Sequence, residues 1–370
     1  MDCRPSMLAS LFRQRFAGNT PCILYSRCLK RSGLTEHLGL VRGLSSASSK
    51  LEAENDAFFS GTTSLPSPEH PLHNIRSEMM GRLPNVCTDK RNNEQAVLLW
   101  NTLLDFLPKE YIDALAKKRI RSPSMPPGYQ LVYFPFKGPL SSLKDDGTDP
   151  AHSPGAPYNR LMWAGGFMHF DQPVRYHSEN RRCIETIRNV EVKGREGDEK
   201  VFVMLKRCVV EGDSTRLTIE GRILVYMRQS LKEKSRSMPK LVKPPSSPDF
   251  SHTLTPTAGL LFRFSALSYN AHRIHLDREY CQQIEGHRNL LVHGPLTLTL
   301  MLEMLAGHLA HTLEEIVRVQ YKNLAPLYAD EAMTVCGKQR ATGVYEVWIE
   351  GKDGGLAVKG SVRTQHHQIG

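Results

Sequence analysis

Residues 293–305 read His293-Gly294-Pro295-Leu296-Thr297-Leu298-Thr299-Leu300-Met301-Leu302-Glu303-Met304-Leu305. This stretch decides the architecture. Pro295 stands where a helix starts without penalty, because the first amides of a helix lack intrahelical partners and the ring presets a helical φ. Leu296, Leu300, Met301, Met304, Leu305 and Leu309 then cover every side of a helix predicted over 295–313. A helix that is apolar all round must be enclosed by other elements. Downstream, segments at 332–340, 343–350 and 356–363 are bounded by turn residues and predict antiparallel strands, and another strand is expected upstream at 260–265. A long buried helix beside such a meander is an α+β unit.

The first half follows the same plan. Val97, Leu98, Trp100, Leu103, Leu104 and Leu107 recur at helical spacing until Pro108 ends the pattern. Strands are expected at 162–170, 184–192, 201–210 and 217–227, and Gly194-Arg195-Glu196-Gly197-Asp198 suits a hairpin between the second and third. Between 122 and 158 eight prolines and four glycines predict a long loop, of the kind that often serves as a lid or binding element. Lys, Ser and four prolines at 229–252 mark a linker. The expected organisation is a leader at 1–45, an irregular lead-in at 46–90, a first unit at 91–230, a linker at 231–252 and a second unit at 253–370. No residue-level repeat relates the two units.

The 370 residues carry a net charge of +10, which raises nucleic acid as a partner until the charge is mapped. Eight basic groups and two acids in the first 50 residues account for +6, leaving +4 over the other 320. No nucleic-acid partner is therefore expected. The leader is Arg-rich and acid-poor, with Met7, Leu8, Leu11, Phe12 and Phe16 at near-helical spacing, which is mitochondrial targeting chemistry. Val41-Arg42-Gly43-Leu44-Ser45-Ser46 suits matrix processing, so the mitochondrial matrix is the expected location. No apolar run reaches the roughly 20 residues that span a bilayer, so no stable membrane insertion is expected. Three of the eight cysteines lie in the leader; the other five show no metal or redox spacing and fit reduced thiols.

The candidate chemistry lies in Phe264-Ser265-Ala266-Leu267-Ser268-Tyr269-Asn270-Ala271-His272-Arg273-Ile274-His275-Leu276-Asp277, followed by Leu291-Val292-His293-Gly294-Pro295-Leu296. This pattern resembles the site of the MaoC-like hydratases and dehydratases, in which a Leu-Ser-Gly-Asp-x-Asn-Pro-x-His stretch precedes a His-Gly helix start. The mitochondrial type 2 hydroxyacyl-thioester dehydratases are the branch it resembles most. Met162-Trp163-Ala164-Gly165-Gly166 and Tyr321-Lys322-Asn323-Leu324-Ala325-Pro326-Leu327-Tyr328 extend the resemblance over roughly residues 90 to 365. It implies a double hotdog: two antiparallel sheets, each wrapped around a long central helix, packed sheet to sheet in one chain.

The resemblance also implies a reaction, dehydration of (3R)-3-hydroxyacyl thioesters of acyl carrier protein to trans-2-enoyl thioesters in mitochondrial fatty acid synthesis. Such a reaction needs a base for the C2 proton, an acid for the departing hydroxyl and donors for the thioester oxygen. His275 suits the first two tasks, since a neutral imidazole accepts a proton and returns it. Gly294 lets backbone approach a ligand closely, and the unpaired amides at the helix start make it the expected oxyanion donor. Asn270 stands where hydratases of this superfamily carry Asp five residues before the His. An amide cannot take up a proton, so Asn270 is expected to orient the water or 3-hydroxyl.

His293, Arg273, His272 and Trp163 are the expected substrate contacts. For His272 and His293 the alternative is a packing role, and for Arg273 it is a solvated charge rather than a carrier-arm phosphate contact. No third ligand accompanies His272 and His275, so neither metal nor other cofactor is expected. The substrate is carried on acyl carrier protein or CoA, and the protein is expected to be a monomer or homodimer. Two other functions stay open: hydration of short dicarboxylic acyl-CoA thioesters of mesaconyl or itaconyl type, and non-catalytic acyl-thioester binding.

Overall fold

Among the described residues, ten strands form one antiparallel sheet in the order β1-β3-β4-β5-β2-β7-β10-β9-β8-β6. The structure is a computed structural model and describes residues 57–59, 71–88, 93–121, 124–176, 181–195, 197–212, 215–228 and 241–366. The leader expected at 1–45 lies outside the described residues, as does 229–240 of the expected linker. The described residues all belong to one compact unit.

Along the chain come α1 (Pro71–Met80), β1 (Asn85–Thr88), α2 (Glu94–Leu103), α3 (Lys109–Arg121), β2 (Arg160–Phe170), β3 (Arg181–Lys193), β4 (Lys200–Glu211) and β5 (Thr215–Met227). The second half contains β6 (Phe250–Leu254), α4 (Ala258–Ser268), α5 (Arg278–Gln283), α6 (Gly294–His308), β7 (Glu314–Asn323), β8 (Met333–Ala341), β9 (Val344–Glu350) and β10 (Leu356–His366). Strands β1 to β5 make one half of the sheet and β6 to β10 the other. The halves join edge to edge, since β2 pairs with β7 from Gly165↔Lys322 to His169↔Arg318. The sheet-to-sheet packing implied by the sequence thus takes the form of a shared edge.

Helix α6 is the buried centre of the second half. Every residue from Leu296 to Leu305 is buried, and each enclosed Leu or Met contributes roughly 1.5–3 kcal/mol by leaving water. Its polar side chains are satisfied locally: Thr297 and Thr299 donate to the carbonyls of Gly294 and Pro295 at 2.7 and 2.9 Å. The buried Glu303 carboxylate accepts two hydrogen bonds from Arg119 of α3, at 2.6 and 2.7 Å. In the first half, α2 and the 3-10 turn Tyr129–Val132 supply buried side chains to the same core, including Leu99, Leu103, Tyr129, Leu131 and Val132.

Four expectations change. The segment at 260–265 is helix α4, not a strand. Thr257 caps it by accepting from the Leu260 amide, and Leu260, Leu261 and Phe264 share the buried face at helical spacing. The lead-in at 46–90 is partly regular, since it contains α1 and β1, the latter paired to β3 from Asn85↔Glu185 to Thr88↔Arg182. The expected linker ends earlier than 252, because β6 begins at Phe250 and pairs with β8. Finally, the helix predicted to reach 313 stops at His308.

Candidate active site

The site is built where α4 ends. Tyr269 adopts the left-handed conformation at the C-terminus of α4 (φ 53°), and the Asn270 amide donates back to the Ser265 carbonyl at 2.9 Å. Asn270 Oδ1 then accepts from the His272 amide at 3.0 Å, a local turn that gives the chain its direction. A 3-10 turn at Arg273–His275 follows. The long proline-rich loop presses on this segment from outside: the Arg273 amide donates to the Asp146 carbonyl at 2.9 Å. At Gly147 (φ 82°) a Cβ would lie 2.0 Å from the Ala271 carbonyl oxygen, so only glycine permits the approach.

His275 is held in one orientation. Its Nδ1 lies 2.8 Å from the Leu291 carbonyl, an acceptor that requires Nδ1 to carry the proton. In the neutral ring Nε2 therefore presents a lone pair. Burial, reinforced by neighbouring His272 and only partly offset by the Leu291 carbonyl, pushes the His275 pKa down to about 3. The ring is 8% exposed and stays neutral at physiological pH, as a proton acceptor must.

His293 lies on His275 in a parallel stack, with ring centroids 3.6 Å apart and planes inclined by 22°. Its Nε2 shares a 2.9 Å hydrogen bond with Ser265 Oγ, and Phe264 packs at 5.1 Å. Burial, with His275 and His272 adding to it, lowers its pKa well below the ordinary value. His272 meets the His275 ring edge-on at 5.6 Å, and burial together with Lys144 and His287 lowers its pKa to about 3. The three imidazoles thus form one buried, neutral cluster. Among the described residues, no group of three or more His, Cys, Asp or Glu is arranged to hold a metal ion.

Gly294 opens α6 immediately after His293, which places the unpaired amides of the helix start beside the imidazole cluster. Trp163 reaches the same point from the other half of the sheet. A Cβ on Gly294 would lie 3.6 Å from Trp163 Cβ and Cγ, and 2.8 Å from Asn323 Nδ2. The Trp163 indole N–H donates to the Tyr321 hydroxyl at 2.9 Å, and the Arg222 guanidinium covers the indole at 4.6 Å. The structure therefore brings His275, His272, His293, Asn270, Gly294 and Trp163 together. Arg273 instead points outward, paired with Asp277 at 2.7 Å and lying over Tyr280 at 4.3 Å.

Residues 128–329 match the model of a protein family described as hydroxyacyl-thioester dehydratase type 2. The chain belongs to this family. The matched span contains β2 to β5 and the whole imidazole cluster. A relative, mesaconyl-C(4)-CoA hydratase of Chloroflexus aurantiacus, is 32% identical over 240 residues, covering 64% of this chain and 83% of that protein. A mitochondrial hydroxyacyl-thioester dehydratase type 2 of Schizosaccharomyces pombe is 28% identical over 252 residues, covering 61% and 81%. Among solved structures, a MaoC-like dehydratase from Phytophthora capsici superposes with a TM-score of 0.55 at 14% identity, covering 79% of this chain and 98% of that one. That likeness concerns the hotdog fold alone.

Several groups that contact the candidate site residues escaped the sequence reading: Ser265, the Leu291 carbonyl, Tyr321, Asn323, Arg222 and the Asp146-Gly147 turn. Asp-Gly inside the long loop was a signal for a tight turn. Tyr321 and Asn323 lie in a stretch that carries the resemblance but no motif that assigns them a role. Nothing in the sequence joins Arg222 to Trp163.

Proposed function

We propose that this hydro-lyase removes water from (3R)-3-hydroxyacyl thioesters of acyl carrier protein, giving trans-2-enoyl thioesters in mitochondrial type II fatty acid synthesis. The observation that carries the reading is the neutral His275, with Nδ1 fixed on the Leu291 carbonyl and its ring stacked beside the start of α6. Nε2 takes the C2 proton and the electron pair moves onto the thioester oxygen, where the Gly294 amide stabilises the enolate. As the enolate collapses, the C3–O bond breaks and the imidazolium returns its proton to the departing oxygen as water. An imidazolium with so depressed a pKa is a strong acid, which favours that second transfer; the adjacent enolate offsets the difficulty of forming it. Asn270 Oδ1 already holds the His272 amide, so its remaining amide hydrogens orient the 3-hydroxyl.

His275, Asn270 and Gly294 all lie within 253–370, which in this reading is the catalytic unit, while the unit at 91–230 shapes the acyl site through Trp163. Residues 1–45 act as the matrix address and are removed near Ser45, and N-terminal sequencing of the mature protein tests this. The 32% identity to a hydratase of mesaconyl-C(4)-CoA favours a second reading, hydration of a short dicarboxylic acyl-CoA. An absorbance assay of residues 46–370 with crotonyl-CoA, mesaconyl-CoA and an enoyl-acyl-carrier-protein distinguishes them. Fastest turnover of the carrier-protein substrate supports the main reading, a preference for mesaconyl-CoA the second, and no turnover of any substrate a binding role alone.

A further inference from the structure

The Asn323 side chain ends β7 at the seam between the halves. Its Nδ2 donates to the Trp163 carbonyl at 2.8 Å, which fixes which end of the amide is the donor. The same Nδ2 lies 2.8 Å from the position a Gly294 Cβ would take, so the amide rests against the first residue of α6. Its Oδ1 is buried and has no hydrogen-bond partner among the described residues. A buried acceptor left unpaired is costly, and a ligand that donates to it gains accordingly.

The chemistry of the substrate narrows the choice of donor. Beyond the 3-hydroxyl, which the mechanism assigns to Asn270 and His275, a thioester on a pantetheine arm offers amide N–H groups. The first of these lies two methylenes beyond the sulfur. With the thioester oxygen on the Gly294 amide, Asn323, whose Nδ2 lies 2.8 Å from the position of a Gly294 Cβ, offers the neighbouring unpaired acceptor for this N–H. We infer that Asn323 Oδ1 accepts the hydrogen bond of the pantetheine amide nearest the thioester. Asn323 is thus a substrate-binding residue that recognises the carrier arm common to CoA and acyl carrier protein. The inference rests on the hydro-lyase reading above. Since His275 is only 8% exposed, an arm that reaches both groups binds in a site with little access to water.

Two small thioesters test this with the full-length chain. One is the crotonyl thioester of N-acetylcysteamine, which carries the amide N–H. The other is the crotonyl thioester of 2-sulfanylethyl acetate, in which an ester oxygen replaces it. A site built around a substrate N–H discriminates against an analogue lacking it. The wild-type chain should therefore hydrate the amide thioester with about 10-fold higher kcat/KM. Asn323→Leu should bring the ratio close to one, while Asn323→Asp, which keeps an acceptor, should preserve a preference. A merely structural Asn323 would lower both substrates equally in Asn323→Leu and leave the ratio unchanged, which overturns the inference. A wild-type ratio near one overturns it too, even if no variant folds. Turnover of neither thioester by the wild type overturns the hydro-lyase reading and this inference with it.

Discussion

The imidazole cluster makes the folded protein acid-labile in a range where carboxylates contribute little. His272 and His275 are pushed down to about 3 and His293 well below its ordinary value, in each case chiefly by burial. In the unfolded chain each regains a pKa of about 6.5. Below that pH the unfolded state therefore binds protons that the native state excludes. Stability is complete above pH 7, falls as pH drops through 6.5, and continues to fall until the native values are reached. At pH 5.5 His272 and His275 each lose on the order of 1 kcal/mol relative to pH 7, and His293 adds to the loss in the same direction. His252 and His308 are also lowered by burial and act in the same direction.

Urea titrations followed by tryptophan fluorescence at pH 7.0 and 5.5, at constant ionic strength, read the difference directly. His293→Gln removes one titrating ring and should shrink the pH-dependent loss, whatever it does to stability at pH 7. Equal unfolding free energies at the two pH values would refute the reasoning, because three native imidazoles could not then be excluded from protonation.

Other outcomes follow from the same geometry. His275→Ala should lower kcat by 10² to 10⁴ fold with an unchanged circular dichroism spectrum, as for a general acid–base group. Asn270→Ala should cost less, and Asn270→Asp should stay active with an altered kcat–pH profile, since a carboxylate can share proton transfer. Gly294→Ala places a methyl 2.8 Å from Asn323 Nδ2, so kcat/KM should fall at least 10-fold while thermal unfolding changes little; an unaltered kcat/KM would count against a close approach at the helix start. Glu303→Leu leaves the Arg119 guanidinium without its carboxylate beside α6, and should lower unfolding free energy by about 3 kcal/mol in denaturant titrations.

The legible parts of the sequence were those where one period or one chemistry prevailed. Helix α6 could be read because its apolar run is long and Pro295 marks its start. Strands β2 to β5 were legible because turns bound them. At 260–265 the short run Leu-Leu-Phe-Arg-Phe-Ser fits either period, and tertiary burial of Leu260, Leu261 and Phe264 selected the helix. Strand β7 was overlooked because Glu314, Glu315, Arg318, Gln320 and Lys322 give it the look of a surface segment, although it lies mid-sheet. The proximity of His275 to Gly294 was legible from the motif they share, since His275 stacks on His293, the residue before Gly294. The contact of Asn323 with Trp163 was not, since 160 positions separate them and only the β2–β7 pairing brings them together.

That pairing also shapes how the chain folds. Gly165 finds Lys322 across 157 positions, so the join completes late compared with the hairpins on either side. Closing so long a loop adds little free energy, about 0.6 kcal/mol for each doubling of length, but it takes time. Meanwhile β2 and β7 expose bare edges that a second copy can extend. Refolding yield should consequently fall as protein concentration rises. Once formed, the join is intramolecular, and Trp163 stays beside the imidazole cluster at any dilution.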